Sequence, residues 1–129
     1  MDYEGRSRRV RERLGEAGVE ALLVTALTNV RYLTGFSGTN GQLLLSASET
    51  IFFSDPRYAA RASETVEAAE VAIYPDRLTD LLPERLTGAG VARLGVEAAS
   101  MTLSEREKLV EKLDGVDLVA TEGLVEDLR

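Results

Sequence analysis

The chain has 129 residues, 44% hydrophobic and 29% charged, enough for one soluble domain with its own core. It contains no cysteine and no histidine, which excludes a Ser-His-Asp triad, a Cys-His pair, disulfides and the usual imidazole–thiolate zinc sites. A net charge of -7 argues against a nucleic-acid partner. No apolar run approaches the ~18 residues of a membrane span, and the cysteine-free composition fits a cytoplasmic location.

The first segment, "RSRRVRER", carries five arginines between Arg6 and Arg13. Val10, Leu14 and Ala17 follow at helical spacing, so a helix is expected with one apolar stripe and the arginines mostly on its solvated side. "ALLVT" (21–25) suits a strand buried on both faces. Asn29 is the expected N-cap of a short helix through Thr34, with Gly35 just past its end. "QLLLS" (42–46) and "TIFFS" (50–54) predict a hairpin. Asp55-Pro56 then opens a second long helix, with Ala59, Ala62, Val66 and Ala69 as its stripe.

"VAIY" (71–74) predicts a strand. A helix follows, capped by Thr79, with Pro83 tolerated in its first turn. "VARLGV" is a fifth strand, and "TLSE" (102–105) has the capping-box spacing for a helix through Leu113. Glu105, Glu107 and Glu111 on that helix alternate with Arg106, Lys108 and Lys112, the pattern of a solvated surface rather than a metal site. "VDLVA" (116–120) is a sixth strand, and "EGLVEDLR" begins an amphipathic helix. Alternating helices and strands with one hairpin give an α/β fold, a three-layer α/β/α domain on a mixed sheet of five to six strands.

The polar stretch "NVRYLTGFSGTNG" (29–41) stands out from this grammar. Its glycines, Gly35, Gly38 and Gly41, follow a helix and precede a strand. The spacing matches neither the dinucleotide fingerprint nor the P-loop. Ordinary backbone roles account for all three: Gly35 ends a helix, Gly38 keeps the loop supple, and Asn40-Gly41 turns into the strand. Phe36 is left over, an aromatic expected to be largely exposed on a mobile segment. That makes Phe36, Ser37, Gly38, Thr39 and Asn40 a candidate contact loop.

The run "NVRYLTGFSGTNGQLLLSASETIFFSDPRYAARA" resembles the N-terminal domain of the creatinase, prolidase and Xaa-Pro aminopeptidase group. The resemblance rests on N-x-R-Y-L-T-G-F-S-G-T-x-G, then an apolar hairpin, then D-x-R-Y opening a helix. It continues more weakly through Val71 to Tyr74 and through Gly95, Val96 and Glu97. It implies a ribonuclease-H-like domain spanning residues 1–129, followed in the family by a C-terminal "pita-bread" catalytic domain that this chain lacks. "LVEDLR" resembles the helix linking the two.

In the family the catalytic domain holds two divalent metal ions (Mn, Co or Zn) on two Asp, one His and two Glu. They activate water against an X-Pro peptide bond. The resemblance therefore implies a fragment with no catalytic residues, metal ligands or cofactor of its own. Its expected partners are its catalytic domain, a second subunit in a homodimer, and short proline-containing peptides. Residues 36–40 would face the neighbouring subunit's active site. Arg57, Tyr58 and Arg31 are candidate interface or substrate contacts. Arg57 and Tyr58 also have a structural reading, which the residues favour: Arg57 paired with a carboxylate at the core edge, and Tyr58 packed under the hairpin. A creatine-type amidinohydrolase parent, or a stand-alone binding or oligomerisation module, is compatible with the same residues.

Overall fold

The computed structural model describes all 129 residues, Met1 to Arg129. Six strands form one mixed sheet: β1 (Ala21–Val24), β2 (Gln42–Ser46), β3 (Thr50–Ser54), β4 (Glu70–Ile73), β5 (Arg93–Glu97) and β6 (Asp117–Thr121). Their order is β4-β3-β2-β1-β5-β6. Only β2 runs against the others, pairing antiparallel with β1 and β3, while β3–β4, β1–β5 and β5–β6 are parallel. The five strands β3-β2-β1-β5-β6 thus have the ribonuclease-H-like order expected from the resemblance.

Five helices cover the sheet: α1 (Tyr3–Leu14), α2 (Leu27–Thr34), α3 (Ala59–Thr65), α4 (Leu82–Gly88) and α5 (Leu103–Lys112). Strand alternation sorts the core into two halves. Leu22, Val24, Leu43, Leu45 and Phe52 face one side, with Val10 and Leu14 of α1, Val30 and Leu33 of α2, and Ala62 of α3. Ala21, Leu23, Leu44, Ile51 and Phe53 face the other, with Leu82 and Leu86 of α4 and Leu109 of α5. Each large side chain among them, buried fully, contributes about 1.5–3 kcal/mol relative to its exposure. That makes the three-layer domain.

Several local expectations are corrected. The arginines of α1 are not mostly a wet face. Arg11 Nε donates to Ser46 O at 2.7 Å and its Nη2 bonds Thr50 Oγ1. Arg13 Nη1 donates to Gly123 O and Leu124 O, both at 2.9 Å. Arg6 lies over the Tyr32 ring at 4.2 Å and donates to Tyr32 O. These side chains tie α1 to the hairpin, to the chain's last segment and to α2.

The second long helix is short. The residues ahead of it form a 3-10 turn (Pro56–Tyr58), and α3 ends at Thr65 because Ala68 takes a φ of 62° to feed β4 at Glu70. Val66 and Ala69 still pack on the core, outside the helix. Thr79 lies inside a 3-10 turn (Leu78–Asp80) and does not cap α4, whose first turn contains Pro83. The final segment buries Leu124 and Val125 and ends in a 3-10 turn (Glu126–Leu128) rather than opening a helix. The capping box is present: Thr102 and Glu105 exchange bonds of 3.0 and 3.1 Å.

Candidate functional site

Because every strand but β2 runs the same way, the carboxyl ends of five strands and the start of β2 share one edge of the sheet. That edge is where open α/β sheets place their ligands. Residues 36–41 form its crest, between α2 and β2.

Phe36 is not exposed. It is 1% accessible and packs in the core with its ring 4.7 Å from Phe52 and edge-on to Tyr58 at 5.4 Å. The expectation of an aromatic displayed on a supple loop is corrected by this burial. Gly38 and Gly41 serve a different purpose from the one expected, letting the backbone run flat against aromatic rings. A Cβ on Gly38 would lie 2.6 Å from Phe36 Cε2 and 2.9 Å from Tyr58 Cε1, and one on Gly41 2.8 Å from Phe52 Cε2. The loop is polar outside and aromatic beneath.

Its far end is held by hydrogen bonds. Asn40 Nδ2 donates to Asp55 Oδ2 at 2.6 Å and to Tyr74 Oη at 2.9 Å. Gln42 Nε2 donates to Asn40 Oδ1 at 2.8 Å, and Tyr74 Oη donates to Gln42 Oε1 at 3.1 Å, which closes a ring. Ser54 Oγ donates to Asn40 O at 2.6 Å. Asn40 therefore does more than turn the chain: it joins the loop to the ends of β3 and β4.

Asp55 organises the D-x-R-Y turn. Its Oδ1 accepts from Arg57 N at 2.9 Å, as an N-cap should, and Arg57 Nε and Nη2 bind both carboxylate oxygens at 2.9 and 2.8 Å. The Arg57 guanidinium first, and Asn40 second, hold the Asp55 carboxyl well below the usual carboxylate range. The structural reading of Arg57 is thus met in geometry, with the side chain still 73% exposed. Tyr58 is half-buried beside Phe36, and its Oη shares a 2.6 Å hydrogen bond with Thr39 Oγ1 while accepting from Thr39 N. Those bonds, and then the charges of Arg57 and Arg61, lower the Tyr58 phenol from its ordinary value. Ser37 and Thr39 are the exposed side chains of the crest, and Arg61 Nη2 donates to Ser37 Oγ at 2.9 Å. Arg31 is exposed on the last turn of α2.

A second polar knot sits further along the same edge, and the sequence gives no sign of it. Glu97, 5% accessible at the end of β5, accepts from Thr25 N at 2.6 Å and Ala26 N at 2.9 Å through Oε1. Its Oε2 accepts from Asn29 Nδ2 at 2.6 Å. Asn29 is therefore not the N-cap: that position is Ala26, which has no capping side chain, and Glu97 instead holds the two amides that lead into the helix, those of Thr25 and Ala26. Burial raises the Glu97 carboxyl above its ordinary value, against the opposing pull of its three hydrogen bonds. Asn29 Oδ1 is buried without a protein partner.

No group of three or more Asp, Glu, His or Cys side chains is arranged to hold a metal ion. A groove of about 600 Å³ beside α5 is lined by apolar side chains and by charges of both signs. It contains no nucleophile paired with a base. No helix is long and apolar enough to cross a membrane.

The family model for the Creatinase/Prolidase N-terminal domain matches residues 6–129. The chain is 31% identical over 121 residues to an uncharacterized peptidase, YqhT, of Bacillus subtilis, covering 94% of this chain and 34% of that protein. Among solved structures it is similar to a Xaa-Pro dipeptidase from Bacillus anthracis, with a TM-score of 0.94 at 30% identity, covering 98% of this chain and 36% of that one. It is also similar to the N-terminal domain of the cytoplasmic peptidase PepQ from Mycobacterium tuberculosis, with a TM-score of 0.88 at 35% identity, covering 97% and 98%. The chain spans about a third of the first two relatives. On the family model's match to residues 6–129, nearly the whole chain, the chain belongs to the Creatinase/Prolidase N-terminal domain family.

Proposed function

We propose that residues 1–129 are the non-catalytic N-terminal domain of a Xaa-Pro peptidase, an aminopeptidase or a prolidase. Its catalytic centre would lie in a C-terminal domain that holds two divalent metal ions, and the parent would work on short proline-containing peptides in the cytoplasm. Two relatives carry peptidase names and extend well beyond the stretch matched here, which supports this assignment.

The domain's own contribution is proposed to be dimer contact and the shaping of a neighbouring subunit's active site by residues 36–40. The observation that carries this part is the build of the crest. Phe36 is sunk in the core and Asn40 is fastened to Asp55 and Tyr74, so Ser37 and Thr39 are displayed on a fixed platform. A preorganised surface loses little freedom on docking. Phe36 then acts as the platform's base, buried Gly38 lets the backbone cross it, and the contact atoms belong to Ser37 and Thr39.

Mixing two inactive versions of the parent tests this. One subunit carries Ser37→Trp on the crest; the other carries an intact crest and a substituted metal ligand. A crest acting across subunits predicts that re-equilibrated mixtures regain X-Pro hydrolysis, because the mixed dimer contains one complete site. Mixtures as inactive as their components would contradict it. The isolated chain, incubated with an X-Pro dipeptide and Mn(II), should give no turnover above a buffer blank.

A further inference from the structure

We infer, on the reading just given of the crest as a contact surface, that it recognises a carboxylate through Arg61. The two arginines of this surface differ in their state. Arg57 is already engaged, with Nε and Nη2 bound to both oxygens of Asp55. Arg61, in the first turn of α3, has none of the chain's four ion pairs and is exposed. Glu64, one turn along the same helix, does not pair with it.

Arg61 is nevertheless held in place. Its Cζ lies 5.8 Å from the centroid of Phe36 and 5.9 Å from that of Tyr58, two rings set edge-on at 83°. One amino group is fixed on Ser37 Oγ at 2.9 Å, which leaves most of its N–H donors without a partner. A guanidinium lodged in an aromatic corner and unpaired is prepared for a planar, doubly accepting anion, because its geometry is set before the ligand arrives.

The charge of the whole chain narrows the ligand further. At -7, the molecule repels polyanions at long range, so a nucleic acid or polyphosphate gains nothing by approaching this single cation. A lone carboxylate, seated at short range by guanidinium and hydroxyl together, fits the chemistry. Two sources present that group at an active-site edge: the C-terminus of a short peptide, and an Asp or Glu side chain on the docked subunit.

Arg61→Gln in the full-length parent tests the inference and separates the sources. The readouts are KM for an X-Pro dipeptide as free acid and as C-terminal amide, and the dimer dissociation constant by sedimentation. A peptide carboxylate predicts a rise in KM of about 5- to 10-fold for the free acid, with the amide unchanged. A subunit carboxylate predicts weaker dimerisation by a similar factor, with both substrates affected alike. Both constants within about twofold of the unsubstituted enzyme would overturn the inference. Ser37→Trp, measured in parallel, shows which statement has failed. If it impairs the enzyme while Arg61→Gln does not, only the carboxylate is wrong; if neither has an effect, the crest is not a contact surface.

Discussion

Two carboxylates close off parallel strands on the same edge of the sheet, and their surroundings drive them in opposite directions. Asp55, after β3, meets a guanidinium and an amide, and its carboxyl is pulled below the ordinary range. Glu97, at the end of β5, meets two backbone amides and Asn29 but no cation, and burial pushes it up. Both organise the segment that follows a strand. The difference lies in what the neighbouring segment needs: the turn after β3 carries its own arginine, whereas α2 begins at an alanine with no side chain to cap it. A buried acceptor from another strand holds the chain as it enters that helix, through the amides of Thr25 and Ala26, at an electrostatic cost.

Substitutions along this edge differ in their expected effects, and the anchor beneath the crest has the largest. Phe36→Ala should lower the stability of the isolated chain by about 3–5 kcal/mol in urea unfolding, the usual loss for a buried phenylalanine. This follows from the burial of Phe36, which the sequence suggested would be largely exposed. A loss below about 1 kcal/mol would mean that the ring is not packed as described.

Next come the two knots. Glu97→Ala leaves two amides and Asn29 without their acceptor and should cost about 2–3 kcal/mol. Glu97→Gln should cost far less, because its carbonyl can accept from Thr25 and Ala26, and a flip of the Asn29 amide brings Oδ1 round to accept from the new NH2. A glutamine variant as unstable as the alanine variant would show that the charge itself is required. Asn40→Ala should cost about 1–3 kcal/mol and loosen the start of β2, read as lost hydrogen-exchange protection at Gln42 and Leu43.

The smallest effects are those of pH, and their signs differ. The Glu97 pKa is raised in the folded chain, so its contribution is fully present below the unfolded value of 4.5 and is lost as pH rises through the folded value. The Asp55 pKa is lowered, so its contribution is present above the unfolded value of 3.8 and is lost as pH falls through the folded one. In melting curves between pH 2 and 8, Asp55→Asn should flatten the acid limb and Glu97→Gln the decline above it. Curves parallel to that of the unsubstituted chain would remove both assignments.

Much of this architecture is legible in the sequence. Strand positions follow from short apolar runs, and the hairpin from two of them set three residues apart. Asp55 as a cap, the Thr102–Glu105 box and Gly35 past a helix are local signals, and each holds. What stays hidden is long-range pairing. Nothing near Asn29 shows that its partner is Glu97, and nothing near Asn40 points to Tyr74, because the sheet order that joins them is not a local property. Phe36 misleads for a related reason: its polar neighbours suggest exposure, while Gly38 and Gly41 suggest flexibility rather than space for rings. Small residues flanking an aromatic are the signal available.

On this reading the crest is a fixed platform and not a mobile lid. Backbone ¹⁵N relaxation on the isolated chain tests it directly. Order parameters for residues 36–41 near those of Leu43 to Leu45, about 0.85, are predicted. Values below about 0.6 across Ser37 to Asn40 would contradict the account, because a loop that loose cannot present Ser37, Thr39 and Arg61 in one geometry.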